Sequence, residues 1–200
     1  MKKFIKAPKK FYFHYPFPVT VVVTKVEDKV NLMSVVWHTQ LSFDPPLYGI
    51  LVSRKRYSHQ MIEKSKQFTL NFLDYEFLET VAFVGSVSGR EVDKAHVFDI
   101  PLEEGRIVDV PVMSEAYAAY ECELVDEREY GDHTLFVGRI VGVHYDDELY
   151  TGEKFKPVVE QIFPVLYVGD EDFVTIDPTT KKRYGREEAR EFLKRWLGEP

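Results

Sequence analysis

The sequence predicts a mainly β protein that closes into an antiparallel barrel, with a few peripheral helices and an amphipathic helix at its C-terminus. Three observations support this fold class. Six or more segments show strand patterns and are joined by short connections. The two longest of these segments flank a tight turn, as in an antiparallel hairpin. Helical patterns are few, and only the last one is strongly periodic.

The strand patterns follow one another along most of the chain. Residues 19–26 are nearly all β-branched and fit a buried strand. Residues 47–53 follow Asp44-Pro45-Pro46, which blocks helix and forces an extended chain. A third strand is predicted at 68–73, and the last one at 161–168.

The predicted hairpin joins residues 116–126 to residues 134–145 through a turn at Tyr130-Gly131-Asp132. Alternation within the first strand places two sets of side chains on opposite faces. One face would carry Ala118, Tyr120, Cys122 and Leu124, and the other Glu121 and Glu123.

Helical signals occur at three places. Residues 58–66 would form a short helix with Ser58 as its N-cap, and residues 75–83 are a second candidate. The C-terminal segment has apolar residues at helical spacing, namely Ala189, Phe192, Leu193, Trp196 and Leu197. Gly198 is expected to end this helix.

These patterns predict a barrel domain over residues 1–180 and a C-terminal helix within residues 181–200. The apolar stripe of that helix includes Phe192 and Trp196, whose side chains are unfavourable to leave in water. We therefore expect the helix to pack on the barrel or on a dimer partner, with the partner favoured.

Composition excludes several classes of protein. The chain has 200 residues, 44% of them hydrophobic, and a net charge of −7, which disfavours general nucleic-acid binding. Cys122 is the single cysteine, as expected in the cytoplasm. No apolar run approaches the roughly 20 residues of a membrane span, so no membrane association is expected. The histidines are scattered, so no metal site is expected.

A basic cluster indicates an anion site. Arg54-Lys55-Arg56 ends a predicted strand and runs into Tyr57-Ser58 at the predicted start of a helix. A helix N-terminus offers unpaired N–H groups and the positive end of its dipole, and both favour phosphate. The alternative is a solvated basic turn.

Residues 31–40 form a second candidate, which is polar and aromatic at once. Trp37 and His38 could line a flat aromatic ligand. Ser34, Thr39 and Gln40 could supply hydrogen bonds. The alternative is an edge strand with a tryptophan in the core.

A third candidate is the glycine-containing segment 85–94. Its glycines permit unusual backbone angles. Lys94 ends the segment and could pair with an anion. The alternative is an ordinary surface loop.

His133 is the fourth candidate, because it follows the predicted hairpin turn and so lies at the barrel rim. A histidine there could orient a ligand or a donor cofactor. The alternative is a turn residue whose hydrogen bonding is satisfied by Asp132.

Taken together and in order, these motifs resemble the flavin reductase-like family of FMN-binding split barrels, and the flavoredoxin-like branch in particular. The resemblance covers residues 14–170. Its matching stretches are Pro18 to Thr24, Asn31 to Thr39, Ser42 to Pro46, Arg56 to Ser58, Phe68 to Asn71, Ser88 to Arg90 with Asp93 and Lys94, and Gly131 to Gly138.

The resemblance implies a homodimer that binds FMN non-covalently near the subunit interface. Phosphate contacts would come from the stretch around Thr39 and from the anion site, the flavin ring would lie near Trp37 and His38, and His133 would lie on the hydride-donor side. The expected cofactor-binding residues are Asn31, Ser34, Trp37, His38, Thr39, Gln40, Arg54, Tyr57, Ser58 and Lys94.

The implied activity is hydride transfer from NADH or NADPH to the flavin, with electrons passed to a protein or a soluble acceptor. A second reading is an FMN electron carrier of the flavoredoxin type without its own nicotinamide site. A third, from a different class, is a structural barrel whose C-terminal helix packs on a partner.

Overall fold

The computed structural model describes residues 2–9 and 11–197. Its strands are β1 (Phe17–Pro18), β2 (Thr20–Val26), β3 (Lys29–Val35), β4 (His38–Phe43), β5 (Pro46–Ser53), β6 (Gln67–Leu73), β7 (Leu102–Glu103), β8 (Val112–Met113), β9 (Ala116–Tyr130), β10 (His133–Tyr145), β11 (Tyr150–Thr151), β12 (Lys156–Pro157), β13 (Leu166–Gly169) and β14 (Asp172–Val174). Its α-helices are α1 (Tyr57–Ser65), α2 (Leu78–Ser86), α3 (Lys94–Val97) and α4 (Arg186–Leu197). Short 3-10 helices lie at Tyr75–Phe77, Asp147–Leu149 and Pro178–Thr180.

Seven strands form one antiparallel sheet in the order β3-β2-β6-β9-β10-β5-β4. The two edge strands of this order, β3 and β4, are consecutive in the chain and are joined only by Val36 and Trp37. The N–H of Leu51 donates to the carbonyl oxygen of Trp37 at 2.8 Å, which fastens this link to β5. Because the two edges are joined at one end, the sheet curls into a barrel, as predicted.

The core has two parts, one on each side of the sheet. Alternation along β2 sends Val22 into the barrel, where it packs with Phe68 and Phe136. Val21 and Val23 point outward and are covered by α2 and by the chain around residues 98–113. A strand buried on both faces needs apolar residues at every position, which explains the unbroken β-branched run in this part of the sequence.

Most strand predictions are confirmed. β2, β5 and β6 lie within two residues of the predicted bounds, and the predicted hairpin is formed by β9 and β10. Gly131 adopts a φ of 62° in its turn, a conformation that glycine tolerates best. The prediction of a last strand at 161–168 is confirmed only in part, because β13 covers only the end of that range and a further strand, β14, follows it.

The helix predictions are confirmed in part. Helix α1 begins at Tyr57 with Arg56 as its N-cap, so the prediction that Ser58 is the N-cap is wrong. Ser58 instead lies in the first turn, and its hydroxyl accepts a hydrogen bond from Asn31 Nδ2 at 2.7 Å. The second predicted helix is divided into the 3-10 helix at Tyr75–Phe77 and α2.

The C-terminal helix forms as α4, but none of its residues is buried against the part of the chain that the structure describes. Its docking on the barrel or on a partner subunit therefore stays a prediction. Gly198, the predicted end of the helix, lies outside the described residues. No helix in the described ranges is both long enough and apolar enough to cross a membrane.

Glu121 and Glu123 lie on the same face of β9, as predicted, opposite to Tyr120, Cys122 and Leu124. The side chain of Glu121 is nevertheless only 1% exposed, because the loop before β8 covers it. Its carboxylate accepts hydrogen bonds from the N–H groups of Arg106, Ile107 and Val108 at 3.0, 2.7 and 2.8 Å. His144 Nε2 lies 2.6 Å from Oε1 of the same carboxylate.

Burial by itself would raise the pKa of Glu121. The hydrogen bonds from Val108, His144, Arg106 and Ile107 together outweigh that effect and lower the pKa to about 2. The carboxylate thus stays charged and fixes the loop before β8 onto the barrel.

Candidate functional site

A cavity of about 640 Å³ opens where the end of β3, the start of α1, the segment after α2 and the β9–β10 turn meet. Its volume lies within the range of cofactor-binding pockets, roughly 300–1,000 Å³. Four separate parts of the chain line it, so its composition depends on the tertiary fold. Among the described residues, no group of three or more His, Cys, Asp or Glu could hold a metal ion.

The N-terminus of α1 gives one end of this cavity a positive potential. Within the described chain, no side chain caps this helix, and its first turn contains no acidic residue. Its first N–H groups are therefore available to an anion. Lys55 and Arg56 precede the helix, Tyr57 and Ser58 begin it, and all four line the cavity.

Arg90 holds the segment after α2 against the start of α1. Its guanidinium lies 5.2 Å from the centre of the Tyr57 ring, and its Nη1 donates to the carbonyl oxygen of Lys55 at 3.1 Å. Lys29 Nζ lies 4.9 Å from the centre of the same ring. Both contacts are cation–π interactions and bring further positive charge to this end of the cavity.

Lys94 lies at the bottom of the cavity with its side chain buried. Its ammonium donates to the carbonyl oxygens of Leu32 and Val84 at 2.7 and 2.6 Å. An ammonium group has three N–H bonds, so one is left for a ligand. Burial, followed by repulsion from Arg56, lowers the pKa of Lys94 to about 8, and the group is still mostly charged at pH 7.

Asn31 presents an acceptor to the cavity. Its Nδ2 donates to Ser58, whereas its Oδ1 is buried and has no hydrogen-bond partner among the described residues. A Cβ atom at Gly89 would lie 1.8 Å from this oxygen, so the close approach requires glycine. Since buried polar atoms are normally hydrogen-bonded, this oxygen indicates a ligand donor at this position.

Aromatic side chains form the mouth of the cavity. The rings of Trp37 and His133 lie 4.7 Å apart, tilted by 42°. The indole Nε1 of Trp37 donates to the hydroxyl of Tyr15 at 2.9 Å. His133 Nδ1 lies 2.8 Å from Asp132 Oδ1, and this hydrogen bond lowers the pKa of Asp132.

The cavity brings together most of the residues that the sequence singled out. Those lining it are Asn31, Ser34, Trp37, Tyr57, Ser58, Lys94 and His133. His38, Thr39, Gln40 and Arg54 do not line it.

The structure brings Trp37 to the cavity but not His38. Trp37 lies in the bend between β3 and β4, whereas His38 is the first residue of β4. The ring nitrogens of His38 lie 2.7 Å from the Tyr48 hydroxyl and 3.0 Å from the Pro18 carbonyl oxygen, away from the cavity. Burial lowers its pKa. Thr39 and Gln40 continue along β4 and are exposed.

Arg54 is also directed elsewhere. Its guanidinium donates to Glu129 Oε1 at 2.8 Å and to the carbonyl oxygen of Gly131 at 2.9 Å, both at the β9–β10 hairpin. Among the described residues, the cations that line the cavity are Lys55 and Arg56 from the same basic run, together with Arg90 and Lys94. Three successive basic residues follow the strand, and the sequence alone does not indicate which of their side chains face the cavity.

Comparisons with known proteins agree with this geometry. The family model described as flavin reductase like domain matches residues 12–173. A protein from Pyrococcus abyssi, described as uncharacterized, is 38% identical over 70% of this chain and 80% of its own length.

Two solved structures are similar over nearly the whole chain. An FMN-binding protein from Thermus thermophilus, solved with bound 1-cyclohex-2-enone, is 37% identical with a TM-score of 0.81, covering 92% of this chain and 100% of its own. A flavoredoxin from Methanosarcina acetivorans is 26% identical with a TM-score of 0.82, covering 96% of this chain and 100% of its own.

Proposed function

Since the chain belongs to the flavin reductase like domain family and has its split-barrel fold, we propose that it binds FMN non-covalently in the cavity and is an NAD(P)H-dependent flavin oxidoreductase. The observation that carries this proposal is the buried Oδ1 of Asn31, which has no partner in the described part of the chain and lies beside a cluster of cations. The acceptor oxygen favours a ligand with an N–H donor, and the cations favour a ligand with a phosphate. FMN has both.

The two ends of the cavity would take different parts of the cofactor. The start of α1, with Arg56 and Ser58, would hold the phosphate. Asn31 and Lys94 would contact the polar edge of the ring system, and Trp37 would cover its aromatic surface. FMN, when bound, would supply the redox chemistry, while the chain orients it and limits access to the mouth.

Lys94 would make binding dependent on pH. Its pKa is lowered to about 8, so it is charged below that pH and loses its proton above it. We expect the affinity for FMN to decrease as the pH rises through about 8, because the neutral amine then loses its charge-assisted contact with the polar edge of the ring.

Arg56→Ala is expected to weaken FMN binding roughly 10- to 100-fold, the effect of losing a charge-assisted contact. Riboflavin, which lacks the phosphate, should bind with nearly unchanged affinity. Arg54→Ala is the matched control, because Arg54 pairs with Glu129 instead of lining the cavity. Titration of intrinsic flavin fluorescence measures each dissociation constant. Equal losses for FMN and riboflavin would contradict the phosphate role of Arg56.

A homodimer is also proposed, in line with the family resemblance. The edge strand β4 carries Leu41 and Phe43 with 45% and 86% of their surface exposed, and Trp37 precedes it with 48% exposed. Exposed apolar residues on an open sheet edge favour self-association.

The second candidate function is an FMN electron carrier that takes electrons from another protein. The similarity to a flavoredoxin supports it. Anaerobic mixing of the FMN-loaded protein with NADH and with NADPH distinguishes the two functions. Rapid bleaching of the flavin absorbance supports the oxidoreductase, and no bleaching supports the carrier.

The absorption spectrum of the purified protein, followed by FMN titration, tests the proposal as a whole. We expect one FMN per chain and flavin absorbance bands perturbed by the site. A colourless protein that does not bind added FMN would contradict both functions.

A further inference from the structure

The C-terminal helix α4 presents an apolar stripe that no described part of the chain covers. Phe192 and Trp196, one helical turn apart, are 66% and 75% exposed, and Leu193 and Leu197 beside them are more than half exposed. Such side chains are unfavourable to leave in water. The stripe is therefore suited to docking on another surface.

The same segment is basic in an acidic protein. Residues 181–197 contain seven Lys and Arg against three Glu, whereas the whole chain has a net charge of −7. The rest of the chain therefore carries more negative charge than the total. The basic segment is therefore attracted to the acidic barrel of another copy. The same acidic barrel is repelled by an anionic lipid surface. The charge distribution thus favours a second copy over a membrane.

A second cavity, of about 600 Å³, offers a complementary surface. It shares no lining residue with the first cavity. Its apolar wall includes Phe77, Val112, Tyr117 and Val143. Its charged lining consists of Asp74, Glu76, Glu103, Glu115 and Asp146 against Arg106, and His144 also lines it.

Three of these carboxylates are available to a cation. Asp74 and Asp146 accept hydrogen bonds from nearby backbone N–H groups. Glu76, Glu103 and Glu115 make no side-chain hydrogen bond or ion pair within the described chain. Burial, followed by repulsion from Glu76 and Asp99, raises the pKa of Glu115. Basic side chains brought to this rim would relieve that repulsion.

We propose that α4 of one copy docks into the second cavity of another copy of this chain. Phe192 and Trp196 would lie on the apolar wall, and Lys194 and Arg195 would face Glu76 and Glu115. The proposal extends the proposed homodimer and does not depend on the flavin.

The place where the basic segment 181–197 begins supports exchange of α4 between two copies. Lys181 pairs with Glu160, which is adjacent to Gln161 in the lining of the second cavity. The segment thus starts at the edge of the cavity of its own chain, yet α4 lies outside that cavity with every residue exposed. Reciprocal exchange between two copies would fill both cavities.

Two full-length charge-reversal variants test the proposal. The helix variant is Lys194→Glu with Arg195→Glu, and the cavity variant is Glu76→Lys with Glu115→Lys. Each alone should weaken self-association roughly tenfold or more, because like charges would then meet at both contacts. An equimolar mixture should recover the wild-type dissociation constant, because each helix then meets a cavity of opposite charge. Sedimentation velocity measures the constants, and Lys2→Glu with Lys3→Glu controls for net charge.

Several outcomes would overturn the proposal. Wild-type protein that is monomeric, or variants with unchanged dissociation constants, would exclude docking between copies. Recovery only when all four changes lie in one chain would assign α4 to the cavity of its own chain. Co-sedimentation of the wild type, but not the helix variant, with phosphatidylserine vesicles would assign it to a membrane. FMN titration of the same variants tests the proposed function separately, because neither variant alters the first cavity.

Discussion

His133→Ala should slow reduction of the bound flavin by NADPH roughly 10- to 1,000-fold, the scale of losing one positioned group. His133 is the first residue of β10, and its ring lies at the cavity mouth beside Trp37. A transient donor has to enter there. The FMN affinity and the melting temperature should stay near the wild-type values, because the ring is at the end of a hairpin and its hydrogen-bond partner is the exposed Asp132.

Anaerobic stopped-flow reduction with NADPH and, separately, with dithionite measures this effect. Dithionite does not need a nicotinamide site, so its rate should not change. His96→Ala is a suitable control, because His96 is exposed on α3 and does not line the cavity. If both donors slow alike, or if neither does, His133 does not serve the hydride donor.

Glu121→Gln should lower the free energy of unfolding by roughly 3–5 kcal/mol, the usual cost of breaking a buried charged network. The neutral amide cannot accept from three backbone N–H groups and His144 as the carboxylate does. Glu123→Gln, two residues along the same strand, is the matched control. Its pair with Arg139 is on the surface, so its removal should cost about 1 kcal/mol or less. Urea unfolding of both variants measures the difference.

The pH dependence of stability gives an independent test of Glu121. Its pKa falls from an ordinary value of 4.5 to about 2 on folding. The stabilisation is therefore complete above pH 4.5 and is lost as the pH falls from 4.5 towards 2. The wild type should lose stability over this range more steeply than Glu121→Gln. Parallel curves for the two proteins would show that the carboxylate contributes no linked stability.

Much of the barrel could be predicted because local patterns agree with the tertiary fold. The β-branched run that becomes β2 is buried on both faces, and the turn at Gly131 needs the positive φ that glycine adopts readily. The burial of Glu121 could not be predicted from such a local pattern. A carboxylate in an alternating strand normally indicates a solvent-facing side, and its burial depends on N–H groups from a loop 13 to 15 residues away in sequence.

The candidate site likewise has features that the sequence predicts and features that depend on the tertiary fold. The sequence by itself determined which residue types are present: a basic run leading into a helix, a tryptophan between two strands, a lysine after a glycine-containing segment, and a histidine after a hairpin turn. Each of these is a local feature that spacing and residue chemistry reveal.

Only the tertiary structure decided which of these side chains face the same cavity. Trp37 turns towards it and His38 away from it, and Arg56 lines it whereas Arg54 pairs with Glu129. Neighbouring residues have nearly the same sequence context, but their side-chain directions depend on the path of the backbone through the bend or turn and on the partners that other segments bring. Those partners come from β9, β10 and the segment after α2, which meet this part of the chain only when the barrel closes.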